Sequence, residues 1–160
     1  MQSRLDAQRA SPGAYHAMLT LEMFVRESSK LEPSLIELVK MRASQINGCA
    51  FCIDMHSKDA RAEGETEQRL YALNAWRETP FFTDRERAAL AWAEAITLVA
   101  EGHVPDAVYE DARQQFSDEE LVNLTLAIVT INGWNRLSIA FRAVPGEYQP
   151  AARKPEGARQ

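Results

Sequence analysis

The sequence predicts an all-α protein, a helical bundle of about six to seven helices. Apolar residues recur at three- and four-residue spacing along most of the chain, the period of a helix with one buried face. Thr83-Asp-Arg-Glu86 and Ser117-Asp-Glu-Glu120 stand before apolar runs, and both read as capping boxes that open helices. No stretch shows the strict alternation of a strand. The 160 residues are expected to form a single domain over 1–160, long enough for a real hydrophobic core. Its expected parts are an N-terminal loop over 1–13, a helical core over 14–143 and a flexible tail over 144–160.

Each element has its own signal. Ser11-Pro12-Gly13 reads as the end of a polar loop, and Met18, Leu21, Phe24 and Val25 then mark a first helix over 15–28. Pro33 suits the first turn of a second helix, which runs to Ile46. Asn47-Gly48 ends it, because that dipeptide accepts the left-handed geometry of a helix C-cap. A third helix follows over 49–63 and stops at Gly64. Thr66 opens a fourth, through Leu70, Leu73 and Trp76, that ends before Pro80. The Thr83 box opens a fifth helix to Gly102, Pro105 starts a short one to Phe116, and the Ser117 box opens the last, over 121–143. That last helix is the most apolar, which marks it as the expected centre of the bundle. Beyond Tyr148 the tail is rich in Pro, Gly, Ala and charge, and little fixed structure is expected there.

Bulk properties exclude several classes. A net charge of −5 gives no nucleic-acid footprint. The longest apolar stretches reach only about a third of a membrane span and are broken by charge. The N-terminus lacks the apolar region of a secretory signal, so a cytoplasmic location is expected. In that reducing compartment a close cysteine pair points to catalysis or metal binding rather than to a structural staple.

The chemistry concentrates in Cys49-Ala-Phe-Cys-Ile-Asp-Met-His56, which holds the only two cysteines of the chain. On a helix, Cys49, Cys52 and His56 fall within an arc of roughly 60°, and Cys52 and His56 form an i,i+4 pair able to touch. Cys49 lies about 10 Å along the axis from His56 and instead sits at the helix start, where free N–H groups favour a thiolate. Each cysteine therefore has a means of acidification: the helix end for Cys49, the imidazole for Cys52. Folding the second helix back about Asn47-Gly48 brings Glu37 within roughly 3 Å of the height of His56. Glu37 lies inside the apolar run Leu35-Ile-Glu-Leu-Val39, where a carboxylate needs a partner, and His56 is the candidate. Carboxylate, imidazole and thiol would then form a proton relay.

Two other readings compete. The cysteines can be plain buried residues, and the set of two thiols, imidazole and carboxylate can hold zinc, although no second Cys/His pair is present. His16 and His103 are isolated, and His103 reads as a loop or helix-end residue. Trp134, Asn132, Asn135 and Arg136 read as core packing with satisfied polar groups ahead of a pocket or subunit contact. Phe81-Phe82 reads as a hydrophobic plug between helices.

Glu37, followed after twelve positions by Cys49 and then Cys-x-x-Cys-x-x-x-His, resembles the alkylhydroperoxidase D family of the carboxymuconolactone decarboxylase superfamily. The resemblance is strongest over 33–100. It implies an all-helical fold, assembly into homo-oligomers, and cysteine-based reduction of peroxides without a cofactor, rather than decarboxylation. By position, Cys52 is similar to the peroxide-attacking cysteine and Cys49 to its resolving partner and proton donor. Glu37 and His56 are similar to the relay. The partners implied are a hydroperoxide and a dithiol reductant protein, lipoyl-bearing or thioredoxin-type. The better-known members carry histidine directly before the second cysteine, and this chain has Phe51. Two further functions remain open at this level: a disulfide reductase or redox sensor with little peroxidase turnover, and a non-enzymatic oligomeric protein with a Cys/His zinc site.

Overall fold

The computed structural model describes residues 2–150. Among them are nine α-helices, one 3-10 segment and no strand. The helices are α1 (Ala7–Ala10), α2 (Pro12–Glu27), α3 (Pro33–Asn47), α4 (Ala50–Ala62), α5 (Glu67–Ala72), α6 (Asp84–Thr97), α7 (Val99–Gly102), α8 (Asp106–Gln115) and α9 (Asp118–Phe141). The 3-10 segment, Leu73–Glu78, continues α5. The class is as the periodicity predicts, with two more helices because α1 forms in the expected N-terminal loop and the fifth expected helix is split into α6 and α7.

The hub is α3, not the last helix. Nine of the fifteen residues of α3 are buried, and it packs on α4, α6 and α9. By contrast nine of the 24 residues of α9 are buried, and Val122 and Val129 stand 68% and 51% exposed. The main core runs between α2, α3, α6, α8 and α9 around Val25, Leu35, Val39, Ala89, Leu124 and Ile128. Burying side chains of this size supplies the main favourable term, about 1.5–3 kcal/mol for each large aliphatic group removed from water. A second cluster joins Leu38, Met41, Leu73, Trp76, Phe82 and Leu90, and Phe82 does fill the gap between helices. The third is small and holds Ala43, Cys49, Cys52 and Ile131, with Phe51 and Trp134 against it.

Both capping boxes form. The Thr83 and Ser117 side chains accept from the N–H groups of Glu86 and Glu120, whose carboxylates reach back to the cap N–H. Where boundaries differ, local chemistry accounts for it. The stretch expected as an N-terminal loop holds α1, because the Asp6 carboxylate accepts from the Arg9 N–H as a cap, and α2 starts at once with Pro12 in its first turn. The fifth expected helix breaks at Leu98 (φ −99°, ψ 26°), next to Thr97, whose hydroxyl accepts from Asn132 Nδ2 at 3.0 Å. The expected flexible tail also departs from its description over its first part. Lys58 donates to the carbonyls of Gly146 and Tyr148 at 3.3 and 3.0 Å, and Tyr148 donates to Asp59 at 2.6 Å, so this segment is tied to α4. The tail from 151 onward lies outside the described residues.

Candidate functional site

The α3–α4 hairpin builds the site. Gly48 adopts the left-handed conformation (φ 68°, ψ 31°) that Asn47-Gly48 predicts, and the Cys49 N–H returns to the Ser44 carbonyl at 3.0 Å. This turn sets Cys49 at the N-cap of α4 with extended backbone (φ −83°, ψ 94°), and its sulfur accepts from the Cys52 N–H at 3.4 Å. The Cys49 and Cys52 sulfurs lie 2.6 Å apart, both cysteines are free, and both are buried.

Two thiols this close titrate as a pair. The hydrogen bond from Cys52 lowers the Cys49 thiol to about 7 against the opposing pull of burial, with help from the Cys52 N–H, Ser138 and Asn135. Cys52 moves the other way. Its hydrogen bond to Cys49, its burial and the neighbouring charge all push its thiol up. Acidity within the reduced pair is thus shifted toward Cys49, as the helix end favours. No hydrogen bond joins His56 to either sulfur among the described residues; the ring is held on its other side.

That holding group is Glu37, as register about the turn predicts. His56 Nδ1 donates to Glu37 Oε2 at 2.8 Å, with the residues 2% and 6% exposed. Burial pulls the Glu37 carboxyl up, but the His56 hydrogen bond and the charges of His56, Lys40 and Arg26 outweigh it and hold it below the usual carboxylate range. An ionised carboxylate cannot donate, so the Nδ1 proton belongs to His56 and Nε2 is the nitrogen left for a further partner.

Sequence reasoning missed the groups around this pair. Arg26 on α2 places Nη2 at 3.9 Å from Glu37 and 3.7 Å from Asp59. Asp59 Oδ2 is buried with no hydrogen-bond partner among the described residues, while Oδ1 accepts from Tyr148. Burial and the Asp59 carboxylate push the Tyr148 hydroxyl up to about 12. Arg26, Glu37, Asp59 and Tyr148 line a 260 Å³ cavity. Asp59 follows His56 at i+3, so helical spacing was the available signal; Tyr148 had none.

The zinc set proposed from the sequence is not assembled. Among the described residues the donor atoms that come within 4.8 Å of one another belong to Glu37, His56 and Asp59, without a sulfur. Asn135 and Asn132 act in the core: Asn47 donates to both at 2.8 and 2.9 Å, and Asn135 donates to Ser44 at 3.0 Å, pinning the end of α3 to α9. Trp134 meets Tyr15 edge-on at 5.1 Å. His103 caps α7 on the surface and His16 lies on exposed α2, both away from the pair.

Cys49, itself buried, borders a second opening. A 360 Å³ pocket has Cys49 and Phe51 from the start of α4, Ser138, Ile139 and Arg142 from the end of α9, and Arg4 from the N-terminal segment. Cys52 does not line it. The thiol pair therefore lies between two openings, one at Cys49 and one at the Glu37 carboxylate.

Comparison with known proteins agrees with this architecture. The family model described as "Carboxymuconolactone decarboxylase family" matches residues 12–95. Uncharacterized protein YdfG of Bacillus subtilis is 46% identical over 141 residues, covering 88% of this chain and 95% of that protein. Uncharacterized protein YnjA of Escherichia coli is 34% identical over 127 residues, covering 77% of this chain and 67% of that protein. The crystal structure of ATU0492 from Agrobacterium tumefaciens, a protein of unknown function described as a candidate antioxidant defence protein AhpD, superposes with a TM-score of 0.88. It is 46% identical and covers 92% of this chain and 100% of that one. With more than half of its length matched by the family model, the chain belongs to the carboxymuconolactone decarboxylase family, as an AhpD-like member.

Proposed function

We propose that this protein is a thiol-dependent peroxidase that reduces an organic hydroperoxide through a Cys49–Cys52 dithiol–disulfide cycle. The observation that carries the reading is the pair itself: two free thiols in contact at a helix N-terminus, with Cys49 lowered to about 7 and lining an open pocket. A thiolate attacks the O–O bond of the hydroperoxide; sulfur becomes a sulfenic acid, and the departing alkoxide takes a proton to leave as alcohol. The second thiol condenses with the sulfenic acid to give a disulfide and water. A dithiol reductant, lipoyl-bearing or thioredoxin-type, then restores both thiols by exchange. Every electron passes through sulfur, so the cycle runs without a metal or cofactor.

The resemblance assigns the attack to Cys52 and the resolving role to Cys49. A second assignment, with Cys49 attacking and Cys52 supplying the proton and then resolving, is supported by the acidity of Cys49 and its place in the pocket. The chemistry balances either way. Glu37 and His56 serve the pair from behind: the carboxylate fixes the imidazole, which exchanges protons with the thiols through water.

The test is a thiol count on reduced protein given one equivalent of cumene hydroperoxide. Loss of both thiols and appearance of one equivalent of cumyl alcohol is expected. Unchanged thiols under peroxide, with a disulfide formed readily by a dithiol–disulfide buffer, would replace the peroxidase reading with a disulfide reductase or redox sensor.

A further inference from the structure

The pocket over Cys49 carries information about its ligand that the thiol cycle does not use. Its lining joins the apolar side chains of Phe51 and Ile139 with Cys49 and with the cations Arg4 and Arg142. No carboxylate lines it, in a chain with 23 acidic against 18 basic residues. Both arginines are exposed, and neither forms an ion pair among the described residues. Arg4 is fixed in place by its own backbone and side chain, which donate to the carbonyls of Phe141 and Ala140 at 2.9 and 3.1 Å. Arg142 is held at the end of α9 in the left-handed conformation (φ 54°, ψ 56°), uncommon for a residue with a side chain. Two cations brought from opposite ends of the chain to one pocket, together with apolar side chains, suit an amphiphilic anion.

We infer that the pocket selects acid-bearing lipophilic hydroperoxides, in which Arg4 and Arg142 take the carboxylate and Phe51 and Ile139 take the hydrocarbon that carries the peroxide to the thiol pair. The volume of 360 Å³ lies within the range of roughly 300–1,000 Å³ usual for ligand pockets, large enough for more than a hydrogen peroxide molecule. This substrate class rests on the peroxidase reading above, whereas the anion preference of the pocket does not. The redox balance is unchanged: the hydroperoxide leaves as the hydroxy acid, and the pair is oxidised by two electrons. Phe51 gains a purpose here, as apolar wall rather than as a polar group missing beside the second cysteine.

The experiment compares anionic and neutral alkylation of Cys49, with iodoacetate against iodoacetamide, in the Cys52→Ser protein. The comparison is repeated with Arg4→Gln, Arg142→Gln and Arg142→Lys added. Exposed charge pairs are weak individually, so the iodoacetate-to-iodoacetamide rate ratio is expected to fall roughly three- to tenfold with the two Gln substitutions combined. The Lys variant is expected to keep part of the ratio. Because the ratio is taken within each variant, a general loss of thiol reactivity cancels. In parallel, decanoate is expected to shield Cys49 from iodoacetamide better than decanol does. A ratio unmoved by the arginine substitutions, with decanoate and decanol shielding equally, would overturn the inference. Oxidation of the pair by cumene hydroperoxide, measured on proteins that keep both cysteines, with and without the arginine substitutions, separates the two readings. Oxidation without anion preference removes only this proposal. Anion preference without oxidation by cumene hydroperoxide or by a fatty-acid hydroperoxide removes the peroxide chemistry.

Discussion

Glu37 and His56 form the most deeply buried charged contact of the site, and their pairing follows from one residue's need. A carboxylate inside Leu35–Val39 cannot remain unpartnered, and the imidazole N–H 2.8 Å away meets that need. Replacing Glu37 by Gln removes the charge and weakens the hydrogen bond to His56, at an expected cost of about 1–3 kcal/mol in urea unfolding at neutral pH. The sign of the pH dependence follows from the lowered Glu37 carboxyl. Its stabilisation is complete above the carboxyl's unfolded value and is lost as pH falls through the lower folded one. Stability measured from neutral pH down through that window should therefore decline less steeply in Glu37→Gln than in the wild type; parallel declines would show that Glu37 is not the group responsible. The sequence made this pair legible because counting about a turn fixes height along two antiparallel helices. The direction of the thiol contact was not legible in the same way. An i,i+4 spacing joins Cys52 to His56, yet the sulfur of Cys49, swung over the helix end by its N-cap backbone, took the contact with Cys52 instead.

Single elements place these residues, and the turn between α3 and α4 is the one on which the site depends. Its left-handed Gly48 has open space around its missing side chain, so Ala there meets no clash and reports only the backbone preference. Gly48→Ala is expected to cost about 1–2 kcal/mol in denaturant unfolding. No change in midpoint would mean that the turn relaxes to another geometry, and Cys49 would then leave its cap. Helix starts were the most legible elements, because Thr83 and Ser117 carry their own capping partners three residues on. Helix ends inside the core were not. At the break after Thr97 the contact is with Asn132 of another helix, and the fixed part of the tail is held by Lys58 and Asp59 of α4. Such long-range bonds leave no periodic trace. Arg26 and Tyr148 escaped the sequence reading for the same reason, whereas Asp59 had its i+3 spacing from His56 as a signal.

At the scale of the whole molecule, the unusual feature is α9, which is rich in apolar residues on every side yet packs by only part of its surface. Val122 and Val129 lie seven residues apart on one outward stripe, and Met23 on α2 is also 54% exposed. Apolar side chains gathered on an outer helix face mark a protein–protein contact. The homo-oligomer expected from the family resemblance is accordingly proposed to bury this face. Sedimentation velocity should show a dimer or larger species for the wild type and a shift toward monomer for Val122→Glu with Val129→Glu. A monomeric wild type at micromolar concentration would remove the proposal. Among the described residues no helix is long and apolar enough to cross a membrane.

The Cys49–Cys52 pair carries the peroxide chemistry, and stopped-flow reduction of cumene hydroperoxide tests it most directly. Reduced wild type, Cys49→Ser and Cys52→Ser proteins are mixed with the peroxide at pH values on either side of about 7, the value to which Cys49 is lowered. The wild type is predicted to consume one equivalent of peroxide in a fast phase that strengthens as pH rises through that value. The variant that lacks the attacking sulfur should lose the fast phase, and the other should turn over once and stop at the sulfenic acid, which decides between Cys52 and Cys49 as the attacking thiol within the same cycle. Equal, slow rates in all three proteins would contradict the account.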